Sequence, residues 1–246
     1  MRIKCLVCDA LARPVYWCAA QSPHIVDIHL IQRGLHNTPM ELRAVLQEQI
    51  DQTKGYDRIV LVYGLCGQST AGLVARSIPL VIPRCHDCIT LFLGSRERYN
   101  DQFNNYSGTY WYVQDYIERD DNSGGALSLG AAAAVDVQKE YDSYVQKYGK
   151  DNADYLMEIM GGWQNHYRRA AFIDMGVSNS TAVEEQAKST AARRGWTYDR
   201  VAGDLVLLRR LLWGDGDDQW DEKDFLTVQP GQSIQMSYDE NVIKVG

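Results

Sequence analysis

No stretch of the 246 residues stays apolar long enough to span a bilayer, which excludes a helical membrane protein. The apolar stretch at the N-terminus, Ile3 to Cys8, is far shorter than a signal-peptide core and has no convincing small-residue cleavage site. No Lys/Arg-rich tract is present, the net charge is −7 and the pI is near 5.2, so nucleic-acid binding is not the expected task. Without a secretory signal the expected compartment is the cytoplasm, where thiols stay reduced. Six cysteines there argue for metal binding, catalysis or plain burial before disulfides. The sequence also lacks a repeated C-x₂-C pair, which disfavours a zinc ribbon. Asp215-Gly216-Asp217-Asp218 lacks the spacing of a calcium loop and reads as a solvated turn.

What is present is a series of short apolar runs, each followed by turn residues and then by helical spacing. Residues 3–8 read as a buried strand, followed by a helix carrying Leu11, Val15 and Cys18; residues 24–31 are the next strand. Thr38-Pro39-Met40-Glu41 predicts a helix start, with Thr38 as N-cap, Pro39 at the first helical position and Glu41 closing a capping box. That helix runs to about Thr53. Residues 58–63 form a continuous apolar run, as in a central parallel strand covered on both faces, and end in Gly64-Leu65-Cys66-Gly67, a turn with a cysteine at its apex. A short helix over 71–76 and a strand over 78–82 lead to Arg84-Cys85-His86-Asp87-Cys88, and one helix with Ile89, Phe92, Leu93 and Tyr99 follows.

Alternating β and α elements imply parallel strands, which puts the ends at Cys8, Cys66 and Cys85 to Cys88 on one edge of the sheet. Open α/β sheets bind ligands at that edge. Further on, residues 109–113, 169–175 and 196–201 read as strands, and 130–148, 153–167, 180–194 and 204–212 as helices, with Ser180 capping the third of these; 225–234 is a short strand and turn. The expected fold is α/β with a largely parallel sheet and helices on both faces, Rossmann-like in its order of elements. It is either one large domain or two half-domains, 1–120 carrying the cysteine site and 121–246 packing against it, although no sequence repeat relates the halves.

The pieces Cys8-Asp9-Ala10-Leu11-Ala12-Arg13, Leu35-His36-Asn37, Tyr63-Gly64-Leu65-Cys66-Gly67 and His86 to Tyr99 make the chain resemble a family of uncharacterised prokaryotic proteins, DUF1638. Gly108-Thr109-Tyr110, Phe172-Ile173-Asp174-Met175-Gly176 and the region from Gly203 to Gly231 extend the resemblance over nearly the whole chain. It implies no assigned activity. Members look like neighbours of anaerobic one-carbon metabolism, especially corrinoid-dependent methyl transfer, which implies a corrinoid as cofactor or a corrinoid protein or methyltransferase as partner. Cys5, Cys18 and Cys85 fall outside the family pattern, which leaves Cys8, Cys66 and Cys88 as the working set.

A lone free cysteine is usually core, and that is the reading for Cys5 and Cys18. Cys8, Cys66 and Cys88 stand at strand ends beside turn residues, so a shared metal site is expected of them. Three thiolates suit a 4Fe–4S iron–sulfur cluster with one open iron, or a zinc ion completed by His86 or by a small-molecule substrate. For His86 the roles of ligand, acid/base and hydrogen bonder at the helix start stay open. His36 joins it as a catalytic candidate, while Gly67, Asn37 and Arg96 are candidates for holding the cofactor; the alternatives are a loop pair for His36 and Asn37 and surface solvation for Arg96 or Arg98. His166, beside Trp163 and Tyr167, is a candidate to enter the site from the second half. Two functions follow: a metal-dependent lyase or transferase acting on a small molecule, or a non-catalytic metal- or corrinoid-handling accessory protein.

Overall fold

A computed structural model describes residues 1–119, 145, 149–150, 167–216 and 219–246. The N-terminal run forms β1, Arg2–Cys8, and α1, Ala12–Ala19, follows after a 3₁₀ turn at Asp9–Leu11. Then come β2, Ile25–Ile31, and α2, Pro39–Gln52. The next strands are β3, Arg58–Val62, and β4, Leu80–Pro83, before the short helix α3, Ile89–Leu93, and α4, Arg96–Asn105. β1 pairs in parallel with both β2 and β3, and β3 in parallel with β4; the nearly continuous apolar runs of β3 and β4 suit strands covered on both faces. Leaving β1 the chain goes to one side to make β2, then returns past β1 to make β3. The direction therefore reverses between β1 and β3, and the crevice beyond their carboxyl ends is where such sheets leave room for a ligand.

α2 covers one face of this sheet. Its Leu42, Leu46 and Ile50 bury against Leu6, Leu61, Tyr63, Leu80 and Ile82, each leucine contributing about 2 kcal/mol. It starts at Pro39 as predicted, but the Thr38 hydroxyl donates to the Glu41 carboxylate (2.8 Å) and makes no cap to a backbone N–H. Two other expectations fail locally. Residues 71–76 are not helical, because the turn at 66–72 leads into an extended stretch in which Val74 bridges to Ser233. The single helix over 89–99 is broken at Gly94, whose φ is 77° and where a Cβ would lie 2.5 Å from the Cβ of Asp204.

The chain divides into two compact units. The second holds Gln102–Asp174 and Ser180–Val201: β5, Thr109–Val113, runs parallel to β6, Arg169–Asp174, with β7, Thr197–Ala202, on the other side of β6. α5, Gln114–Glu118, and α6, Thr181–Arg194, belong to it, and Tyr110, Tyr112, Phe172, Val183 and Ala187 form its core. The first unit regains the C-terminal segment Ala202–Gly246, whereas the sequence reading divides the chain once, after residue 120. That segment supplies α7, Val206–Trp213, and β8, Phe225–Val228, which pairs antiparallel with β4 and completes the order β2-β1-β3-β4-β8. β9, Ile234–Met236, and β10, Ile243–Val245, form an antiparallel pair. The loop at 120–125, the helices expected at 130–148 and 153–167, and His166 lie outside the described residues, with Val145 and Tyr167 the exceptions. Among the described residues no helix is long and apolar enough to cross a membrane.

Candidate thiol site

Register places the first members of the site. Val7 of β1 lies opposite Val62 of β3, so Cys8 and Tyr63 occupy the next positions on neighbouring strands. Alternation along each strand sends them to the same face as Leu6 and Leu61, the face that α2 covers, where Tyr63 and Cys66 are buried and Cys8 is half-buried. After Tyr63 the chain laces onto the stretch that follows β4. Leu65 N–H donates to the Cys85 carbonyl (2.9 Å) and Cys66 N–H to the His86 carbonyl (3.0 Å). Glycine is required at position 64, since a Cβ there would lie 2.7 Å from the Asp87 Cα. The turn itself carries positive φ at Cys66, Gly67 and Gln68, and Arg43 of α2 holds it by donating to the Gln68 carbonyl (2.6 Å). Cys66, Cys85 and Cys88 are at most 5% exposed, so none of these sulfurs is a surface thiol.

Ionising any of these groups is unfavourable. Burial pushes the Cys8 thiol up to about 12, a backbone hydrogen bond from Ala10 opposes this, Asp9 adds to it and the Arg33 guanidinium also opposes it. Burial raises Cys66 as well, with the negative charges of Cys8 and Asp87 acting in the same direction. Cys88 lies well above the ordinary thiol range through burial and then through Cys66, Cys8, Asp87 and Cys85. Cys85 does so through burial, Cys66 and Asp87, against Arg96. The Tyr63 phenol is held up by burial and by Cys8, Cys66, Asp9 and Cys88. The thiols are thus protonated at neutral pH, close enough that charge on one disfavours charge on the next. All six cysteines are free.

Beside the thiols stands a second polar group. Asp87 Oδ2 accepts from the Tyr99 hydroxyl (2.9 Å) and Oδ1 from the Ile89 N–H (2.9 Å). Burial nevertheless raises its carboxyl, against those two hydrogen bonds and the charges of His86 and His36. His36 is half-buried; burial lowers its pKa and Asp87 opposes that. The two histidines expected to share a role both act on Asp87 but differ in exposure: His36 is partly enclosed, whereas His86 is exposed and its backbone carbonyl accepts from the Cys66 N–H. Asn37 is exposed at the end of the 3₁₀ turn Arg33–Asn37, and Gly67 is exposed, with a Cβ there lying 3.5 Å from Pro39. Arg96 donates to the carbonyls of Lys223 (2.8 Å) and Glu240, so its guanidinium ties down the C-terminal segment instead of standing ready for an anion. Arg98 likewise donates to the carbonyls of Leu93 and Ala202.

Cys5 and Cys18 are fully buried in the core. Cys85, set aside in the sequence, is instead electrostatically coupled to Cys66 and Cys88; the signal that finds it is the C-x-x-C spacing of Cys85 and Cys88. Tyr63, Asp87 and Tyr99 lie in stretches that carry the family resemblance, but their spacing assigns them no role. Among the described residues no three His, Cys, Asp or Glu side chains stand as a ready-made cage for one metal ion. A family model described as a protein of unknown function, DUF1638, matches residues 30–212. No curated protein and no solved structure matches the chain.

Proposed function

The chain belongs to the DUF1638 family, and we propose that it is a metal-dependent enzyme acting on a small molecule, with Cys8, Cys66 and Cys88 holding the metal. One observation supports this reading: thiols from three separate pieces of chain stand at the carboxyl edge of a parallel sheet, close enough that charge on Cys8 disfavours ionisation of Cys66 and charge on either disfavours ionisation of Cys88. Such thiols become thiolates together only against a cation. An all-sulfur set favours an iron–sulfur cluster over zinc. A cluster also spreads its thiolates over several iron atoms, so it asks for less closure of the side chains than one zinc ion with bonds near ~2.3 Å.

At an open coordination position a bound metal would polarise a substrate atom. The protein's own part is then to exclude water with α2 and to move a proton. We assign that transfer to His36, which burial favours in its neutral form, next to Asp87 steadied by Tyr99. The first sheet, with parallel order β2-β1-β3-β4, is read as Rossmann-like, and the parallel β5–β6 pair as a smaller unit of related design. The depth of Cys66 and Cys88 also suits a second reading, a non-catalytic metal- or corrinoid-handling accessory of a methyltransferase system in a reducing cytoplasm.

The test is anaerobic purification followed by iron, zinc and acid-labile sulfide analysis with a visible spectrum. Iron and sulfide together with broad visible absorption are expected. Protein that contains no such metal and takes none up on reconstitution defeats the proposal. Saturable turnover lost on chelation separates the enzyme from the accessory protein, which binds tightly without turnover.

A further inference from the structure

Tyr63 is 2% exposed, and its hydroxyl finds no hydrogen-bond partner among the described residues. A buried hydroxyl left unpaired is unfavourable, and a phenylalanine would fill the same space without that cost. Its position identifies what it faces. Tyr63 stands beside Cys8 in the register of β1 and β3, and Cys66 follows three residues later in a turn of positive φ. The Cys66 N–H to His86 carbonyl bond brings in the segment that carries Cys88. The same three cysteines and Asp9 are the charges that act on the phenol. As thiols the sulfurs are weak acceptors, and the hydroxyl engages none of them; a metal-bound sulfur is a much stronger acceptor.

We propose that Tyr63 is a positioning residue of the thiol site, its O–H donating a hydrogen bond to a metal-held sulfur once the site is loaded. This rests on the metal reading above and adds the group that tunes it. Hydrogen bonds to ligating sulfur stabilise the loaded state and set the potential of an iron–sulfur cluster. They make no contribution before loading, so the hydroxyl should act with opposite signs in the two states.

The test compares full-length wild type with Tyr63→Phe. Apo protein is reloaded anaerobically with iron(II) plus sulfide, or with zinc(II) alone, and challenged with graded chelator. Tyr63→Phe should release metal at about 10–100-fold lower chelator, the usual effect of losing such a partner. The apo variant should be at least as heat-stable as apo wild type, since it loses no hydrogen bond. Equal metal retention, or a less stable apo variant, overturns the proposal while leaving metal binding intact. A wild type that takes up neither metal removes the metal reading and this inference together. Incorporation of 3-fluorotyrosine at position 63, which keeps a stronger donor, guards against a variant that fails to fold; it should retain metal at least as well as wild type, and weaker retention also overturns the proposal.

Discussion

Each unit takes a polar side chain out of water, and the two resolve the problem differently. In the second unit Arg169, 6% exposed, donates to Asp199, to Gln102 Oε1 (2.9 Å) and to Thr109 Oγ1 (3.3 Å), with its guanidinium 4.1 Å from the centre of the Tyr106 ring. Its charge is answered from within. In the first unit Tyr63 lacks a partner among the described residues, and the thiols around it oppose one another's ionisation. A buried polar group satisfied by its own chain is architecture; the proposed metal site would account for the ones around Cys66.

The largest expected effect tests that distinction directly. Cys66→Ser should lower the metal bound by anaerobically prepared protein at least about tenfold, by removing the sulfur that couples to both Cys8 and Cys88. Cys18→Ala, in a cysteine whose backbone carbonyl serves Trp213 (3.0 Å), should cost about 1 kcal/mol of stability and leave the metal in place. Metal per chain by elemental analysis decides; equal loss in both variants would mean that the thiols play no joint role.

Alkali should separate apo from loaded protein. A thiol whose pKa is raised on folding contributes stability fully present below its unfolded value, near 9.0, and lost as pH rises toward the folded value, about 12 for Cys8. With Cys5, Cys66, Cys85 and Cys88 raised in the same direction, apo protein should lose about 4 kcal/mol between about pH 7.5 and about pH 9.5. Protein loaded with metal has already given up the protons of its ligating thiols and should lose less, with affinity rising over the same interval. Urea midpoints at the two pH values check it, and identical slopes for apo and loaded protein would sink it.

Much of the first unit was legible because parallel strands buried on both faces write themselves as unbroken apolar runs, as at Arg58–Val62, and because turn residues mark where they stop. Cys8 and Cys66 could be placed at strand ends for that reason. What could not be read was contact between distant pieces: β8 joining β4, the Tyr99 hydroxyl on Asp87, or Arg96 on the Lys223 carbonyl. The missing helix at 71–76 has the same cause, a long-range bridge from Val74 to Ser233 that overrides local propensity. Gly64 shows how much rests on one such contact. Gly64→Ala would push the two site loops apart at the Asp87 backbone, and should cost about 3 kcal/mol and weaken metal binding together. Unchanged thermal unfolding would show that the loops can separate freely.

Arg169→Met should destabilise by about 2 kcal/mol through lost hydrogen bonds and stacking. The Asp199 left behind is 48% exposed and remains hydrated, which keeps the cost below that of a stranded buried charge. Metal content should not change. A fall in bound metal at 25 °C, with the protein still folded by circular dichroism, would show that the second unit's polar centre serves the site as well.

The smallest effect is expected where the two units are alike. α2 and α6 both begin after a hydroxyl residue that the sequence marks as a cap, Thr38 and Ser180, and neither side chain makes a capping hydrogen bond. Thr38 gives its proton to the Glu41 carboxylate on an exposed surface, an interaction that water replaces at little loss. Ser180 accepts the Glu184 N–H through its backbone carbonyl (3.0 Å), which alanine supplies equally well. Thr38→Ala and Ser180→Ala should therefore each cost less than about 0.5 kcal/mol, below the usual penalty of about 1 kcal/mol for a lost cap. Chemical denaturation of the two variants measures it. A loss of 1 kcal/mol or more in either would mean that the hydroxyl caps its helix in solution, and that the helix starts in that unit are held by the sequence signal itself.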